Sequence, residues 1–257
     1  MSKLPENKRF IDFSDYGRPI AQILVKSLSQ TAINSIHLTF AFLVSGLIAI
    51  ALIWSGNVFI AAFFLMLKNI LDAADGEMAR VKQHPSYTGR YLDSIFDFII
   101  NFGICYVLYL TTGASLLILF LAFIGLQFQC AICNYYYVIQ RNRINGDATS
   151  RIVEFKRPQA FAYESQSLVN QLHTIFMLLY SPFDFIVLHM DKKAVRIKEF
   201  PKWFLSLSSS LLLGFQFAII TIMLILDLSP YILPFFALYS LWGIVIILVR
   251  KVFVKNQ

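Results

Sequence analysis

Residues 57–112 read NVFIAAFFLMLKNILDAADGEMARVKQHPSYTGRYLDSIFDFIINFGICYVLYLTT. Two long apolar runs flank a short polar stretch, Lys82 to Thr88, and acidic residues stand where each run meets it. Asp72, Asp75, Gly76 and Ala79 are spaced i, i+3, i+4, i+7 and share one face of a helix. Gly89, Asp93 and Asp97 are spaced i, i+4, i+8 and share a face of the next. So short a connection makes the two helices antiparallel neighbours with their acidic faces at one level. Between Asn57 and Asp72, and again between Asp97 and Gly113, there are too few residues to cross a bilayer core, which takes about 20. The carboxylates are therefore expected at, or slightly within, the hydrocarbon edge.

Working outward, the whole chain carries the same signature. Of its 257 residues 58% are hydrophobic and 14% charged, and the mean hydropathy is +0.65; a soluble domain would carry roughly 25% charged residues. Apolar periodicity is continuous and the runs are long, which predicts an all-α membrane protein rather than a barrel. Six transmembrane helices are predicted at about 38–55, 57–72, 94–112, 114–139, 203–226 and 229–249, with Gly56-Asn57, Thr112-Gly113 and Ser229-Pro230 as short turns. This arrangement puts 21 of the 22 Lys and Arg residues on one side; the remaining one, Lys68, lies within the second span. Both termini are expected in the cytoplasm, and no signal peptide is expected in the basic first 37 residues. The net charge of +7 then reflects an anionic leaflet rather than nucleic acid.

Residues 11–35, with Ile20, Ile23, Leu24 and Leu28, predict a juxtamembrane helix within an N-terminal segment 1–37. The membrane domain extends over 38–252, with a cytoplasmic insertion at about 140–202. Inside that insertion, 167–190 is apolar enough to suggest a seventh span. Crossing there would export Lys192, Lys193, Arg196, Lys198 and Lys202, so an in-plane or re-entrant segment is expected instead. The cysteines Cys105, Cys130 and Cys133 are expected to pack between helices. His37, His173 and His189 are expected at the membrane interface and His84 on the surface.

Only 15 residues are acidic, and five of them fall between 72 and 97. An unpaired carboxylate in a membrane costs roughly 2.5 kcal/mol or more. Two such charges about 6 Å apart repel by about 3 kcal/mol at an effective dielectric of about 20. Lys68, Arg80 and Arg90 are the only nearby cations, and Lys68, one turn before Asp72, is expected to pair with the cluster. Divalent metal offsets the remainder, and an all-oxygen ligand set points to Mg²⁺ or Mn²⁺. Four carboxylates suffice for two ions sharing ligands. Gly76 and Ala79 remove bulk on the same face and leave a groove in which a ligand can approach the backbone.

The run Asp72-Ala-Ala-Asp75-Gly76-Glu-Met-Ala79-Arg80, eight residues, Gly89, three residues, Asp93, three residues, Asp97 matches D-x2-D-G-x2-A-R-x8-G-x3-D-x3-D at every fixed position. It resembles the CDP-alcohol phosphotransferases, six-helix membrane enzymes of phospholipid synthesis. The resemblance implies transfer of a substituted phosphate from a CDP-linked alcohol, such as CDP-diacylglycerol, to the hydroxyl of a second alcohol, with release of CMP. It implies Asp72, Asp75, Asp93 and Asp97 as metal ligands, and Asp97 also as the general base. Gly76, Ala79, Arg80, Ser86 and Gly89 would meet the CDP moiety. It implies a bacterial or archaeal cytoplasmic membrane, an active site facing the cytoplasm, and homodimerisation. In the comparable stretch Asn34-Ser35-Ile36-His37-Leu38-Thr39, Thr39 matches a family threonine before the first span, whereas the Pro-Asn pair that often precedes it is missing.

Arg141, Arg143, Arg151, Lys156 and Arg157 are candidates to bind a phosphorylated acceptor, the rival being lipid headgroups. Two other functions compete. An aminoalcohol phosphotransferase would use CDP-choline or CDP-ethanolamine with diacylglycerol. A cation transporter would distribute its acids through the bilayer depth.

Overall fold

The computed structural model describes residues 8–143 and 154–254, and every regular element among them is helical. In chain order these are α1 Arg18–Leu28, α2 Ser35–Trp54, α3 Val58–Val81, α4 Tyr87–Thr112, α5 Leu116–Arg143, α6 Gln166–Met190, α7 Lys202–Ser209, α8 Leu213–Ile225 and α9 Ser229–Phe253. Local chemistry sets the boundaries. The Asn34 side chain accepts from His37 N while His37 Nδ1 accepts from Asn34 N, both at 3.1 Å, a reciprocal cap that starts α2 and occupies His37. Ser86 Oγ accepts from Gly89 N and starts α4.

α2 and α3 form a hairpin, and α4 crosses α2 closely. A Cβ on Gly46 would lie 2.5 Å from Ile100 Cδ1, and one on Gly103 would lie 2.5 Å from Ile50 Cδ1. Each helix therefore seats an isoleucine in the other's glycine, the small-residue packing that brings membrane helices together. α1 lies on this hairpin with Ala21 and Val25 buried beside Leu38, Ala74 and Met78, while Ile20 and Ile23 face outward.

By length and composition α2, α4, α5, α6 and α9 can each cross a bilayer, and α7 with α8 forms a further span bent by 45°. α3 is excluded from that set by its charged end, but a hairpin partner of α2 running 24 residues, roughly 36 Å, returns through the same thickness. α6 is the exception among the long helices. Its start is tied to the first turn of α4, where Glu164 accepts from Ser86 Oγ and Thr88 N at 2.8 Å. Its end is tied to the last third of α5, where Tyr136 Oη donates to Asp191 at 2.9 Å and Tyr135 Oη to the Asp191 carbonyl at 2.8 Å. The start of α4 and the end of α5 are on the same side of the bundle. α6 therefore lies against α4 and α5, tied at its start to the first turn of α4 and at its end to α5. The chain is an all-α integral membrane protein; among the described residues five helices are long and apolar enough to cross a bilayer, or six with the bent pair α7–α8.

Two expectations need correction. The span at 203–226 is not one helix but breaks at Ser210–Leu212. The freed backbone groups are met from neighbours: Tyr239 Oη donates to Ser210 O at 3.2 Å and the Gln216 side chain to Leu211 O at 3.0 Å. A break in membrane is tolerated only where protein supplies such partners. His173 is not interfacial but buried, its Nε2 2.9 Å from Glu154 O.

Candidate active site

α3 and α4 place their acidic faces against each other at the Lys/Arg-rich end, as their spacing predicts. Asp72, Asp75 and Asp93 each offer a carboxylate oxygen within 4.8 Å of the others. Thr39 Oγ1 donates to Asp75 Oδ2 at 2.7 Å and fixes its rotamer from α2. Asp93 Oδ1 is buried with no hydrogen-bond partner. Carboxylates this close repel by roughly 3 kcal/mol per pair at an effective dielectric of about 20. A buried, unpartnered carboxylate oxygen facing two others is the donor set a hard divalent cation satisfies, so these three residues fit such an ion.

Asp97 stands apart from this trio. It accepts from the ammonium of Lys68, which also donates to Asp72 Oδ2 at 2.6 Å. Lys68 is fully buried, with its Nζ 4.6 Å from the Phe42 ring and 5.0 Å from the Phe217 ring. The expected pairing of Lys68 with the cluster thus bridges α3 to α4 and offsets one of the four negative charges.

The aspartates border a cavity of about 700 Å³ shared by α2 to α6 and the start of α8. Gly76 and Ala79 line it, and a Cβ on Gly76 would meet only the Arg80 guanidinium, at 3.5 Å. Arg80 reaches the wall while donating to Glu77 at 2.9 Å. Ser86 also lines the cavity, but its hydroxyl is occupied between Gly89 N and Glu164. A Cβ on Gly89 would sit 3.3 Å from that hydroxyl; Ser86 and Gly89 build the start of α4, a structural use that their spacing does not disclose.

Of the basic residues after the fourth span, Arg141 lines the cavity. Arg143 donates to Val195 O at 2.8 Å, and Lys156 and Arg157 are exposed. Arg151 lies outside the described residues. Cys130 lines the cavity as well, whereas Cys105 and Cys133 are buried in helix packing. His84 is exposed and stacks on Tyr163 at 3.7 Å between ring centroids.

Sequence reading overlooks the far wall, formed by Asn101, Gln127 and Asn134 on α4 and α5 and by Phe176, Tyr180 and Asp184 on α6. The available signal is the presence of amides and an acid in helices otherwise apolar, which in membrane proteins marks function.

Glu164 holds the rim. Burial works against its ionisation, but donors from Thr88, Ser86 and Phe161 outweigh it and keep its carboxyl below the ordinary range. Such a group stabilises the fold above its unfolded pKa and loses that contribution as pH falls through the lower folded value. The melting temperature of Glu164→Gln should lie below wild type by about 2 °C or less, as befits a partly exposed contact. The gap should be constant from pH 7 to about 5 and shrink below pH about 4.5. A gap that widens in acid, read by thermal unfolding in detergent, contradicts the latch.

A family model described as CDP-alcohol phosphatidyltransferase matches residues 33–194, which contain α2 to α6 and every aspartate above. No curated protein and no solved structure matches the chain.

Proposed function

This chain belongs to the CDP-alcohol phosphatidyltransferase family, and on that premise we propose that it transfers a phosphatidyl group from CDP-diacylglycerol to the hydroxyl of a small polar alcohol, releasing CMP. The observation that carries this reading is the trio Asp72, Asp75 and Asp93 beside the Lys68-held Asp97, at one end of a cavity large enough for a nucleotide and an alcohol. The family is divalent-metal dependent, and Asp72, Asp75 and Asp93 are the residues that would hold Mg²⁺ or Mn²⁺. Such an ion, when bound, supplies positive charge to the diphosphate and to the departing CMP.

The chain's own groups do the rest. Gly76 and Ala79 leave the wall open for the nucleotide, and Arg80 meets its phosphates. Asp97 accepts the proton of the acceptor hydroxyl. The acceptor oxygen forms a bond to the phosphorus that carries the diacylglycerol. The bond from that phosphorus to the bridging oxygen breaks, and CMP leaves with the electron pair. The Lys68 ammonium, donating to Asp97, keeps its carboxylate oriented. By the positive-inside rule the cavity opens to the cytoplasm of a bacterial or archaeal membrane. Carboxylates strung through the bilayer depth, as a transporter would need, are missing: outside α3 and α4 the long helices carry only Asp184.

The test is CMP release by purified protein with Mn²⁺ or Mg²⁺, CDP-diacylglycerol and a panel of alcohols. Asp97→Asn is expected to lower kcat about 10²- to 10⁴-fold, the usual worth of a general base. No CMP with any acceptor or donor sinks the reading, and an unaffected Asp97→Asn protein removes Asp97 as its base.

A further inference from the structure

We propose that α6 supplies an ammonium-binding subsite, formed by Phe176, Tyr180 and Asp184, so that the alcohol handled here carries a protonated or quaternary amine. The inference rests on the phosphotransfer reading for its context and adds the class of alcohol.

Phe176, Tyr180 and Asp184 are spaced i, i+4, i+8 and occupy one face of α6, and all three line the cavity. The two rings stack with centroids 5.1 Å apart. Tyr180 is locked by donating its hydroxyl to Ser94 O at 2.6 Å, one residue from Asp93 and one turn from Asp97. The α6 face is thereby fixed against the acidic face of α4. Asp184 has no hydrogen bond or ion pair among the described residues.

Each guanidinium group on the cavity wall has a partner other than Asp184. Arg80 donates to Glu77. Arg90 pairs with Glu154 and covers the Phe176 ring at 5.6 Å. Arg141 lies over the Tyr137 ring at 4.7 Å. A carboxylate left without a cation on an apolar helix is unfavourable unless a ligand brings the opposite charge. Aromatic rings beside a carboxylate are the surroundings an ammonium or quaternary ammonium selects. A phosphorylated acceptor would instead meet repulsion from Asp184.

The amine can arrive from two sources. It can belong to a free amino alcohol that accepts phosphatidyl from CDP-diacylglycerol. It can equally belong to the head of a CDP-amino alcohol whose phosphoamino alcohol passes to diacylglycerol. In both cases a hydroxyl oxygen bonds to the phosphorus bearing the transferred group and CMP departs.

Wild-type and Asp184→Asn proteins are compared in three arms. One pairs CDP-diacylglycerol with choline, ethanolamine or serine. A second pairs it with inositol or glycerol 3-phosphate. The third pairs CDP-choline or CDP-ethanolamine with diacylglycerol. Turnover is expected in the first or the third arm, and which of them responds identifies the source. Asp184→Asn should raise KM for the amine-bearing substrate about 10- to 100-fold, the usual loss for a contact to a charged group, with kcat within about threefold. Comparable turnover of inositol or glycerol 3-phosphate, or an unchanged KM, overturns the subsite. Equilibrium binding of radiolabelled choline and CDP-choline is measured in parallel, without turnover. If no arm releases CMP, the phosphotransfer reading fails on its own. Binding lost in Asp184→Asn still supports the subsite, and binding that is absent or equal in both proteins overturns it.

Discussion

Asp93→Asn is expected to fold normally, lose at least about 10³-fold in turnover, and be slightly more stable than wild type when metal is removed. The three effects have one origin. Asp93 Oδ1 is buried without a hydrogen-bond partner, in a set of oxygens within 4.8 Å of one another. Asparagine keeps the shape but removes the charge and turns an NH₂ toward the place where a cation would sit. A weakened divalent site forfeits several kcal/mol of transition-state stabilisation, and 10³-fold corresponds to about 4 kcal/mol. In EDTA the substitution relieves carboxylate repulsion, and a gain of about 1 kcal/mol would raise the melting temperature by about 2–4 °C. Thermal unfolding with and without Mn²⁺ checks the sign. Wild type should rise on adding Mn²⁺ and the variant should not. An equal rise in both proteins, or full activity in the variant, would remove Asp93 from the metal site.

The largest loss of stability is expected at Asp191→Ala, about 3–5 kcal/mol, because it strands a buried cation. Asp191 has no exposed side-chain surface and pairs with Arg250 of α9, itself 6% exposed. It also accepts from Tyr136. This one carboxylate joins α5, α9 and the end of α6, so its loss should also free the far end of α6. Removing both charges differs from removing one: Asp191→Leu combined with Arg250→Met should recover much of the loss, since an apolar pair needs no partner. Melting in detergent and proteolysis near residues 190–200 read the two effects. A single variant within about 1 kcal/mol of wild type would show that the pair does not hold α6.

Both predictions depend on neighbours of different kinds, and the two kinds were not equally legible. Asp72 and Asp75 share a helix face because of a repeat of 3.6 residues, and they meet Asp93 because a polar link of a few residues forces α3 and α4 to be adjacent. Those relations are local and can be read from spacing. For 167–190 an in-plane or re-entrant course was expected from charge, since crossing would have carried Lys192 to Lys202 through the bilayer. The break at Ser210–Leu212 had no such signal. Only Gly214 and the run Ser208–Ser210 stand near it, and its freed groups are met by Gln216 of α8 and, from α9, by Tyr239 and Trp242.

Ser86 illustrates the same limit within the motif. Its spacing admits a ligand contact, but the hydroxyl is taken by Glu164, 78 residues away. The aspartates, too, are not four equals. Lys68 draws Asp97 aside and leaves a trio, a division that depends on one ammonium sitting between Phe42 and Phe217.

The sequence by itself determined that this is a helical membrane protein, where its spans lie, and that its acids converge at one edge, because helical periodicity, charge asymmetry and short connections act over a few residues. Only the tertiary structure decided which acids group together, and that α6 closes the far wall of their cavity with Phe176, Tyr180 and Asp184. Lys68 meets Asp97 29 positions away and α6 meets α4 86 positions away, and nothing in local spacing encodes which side chain meets another across the bundle.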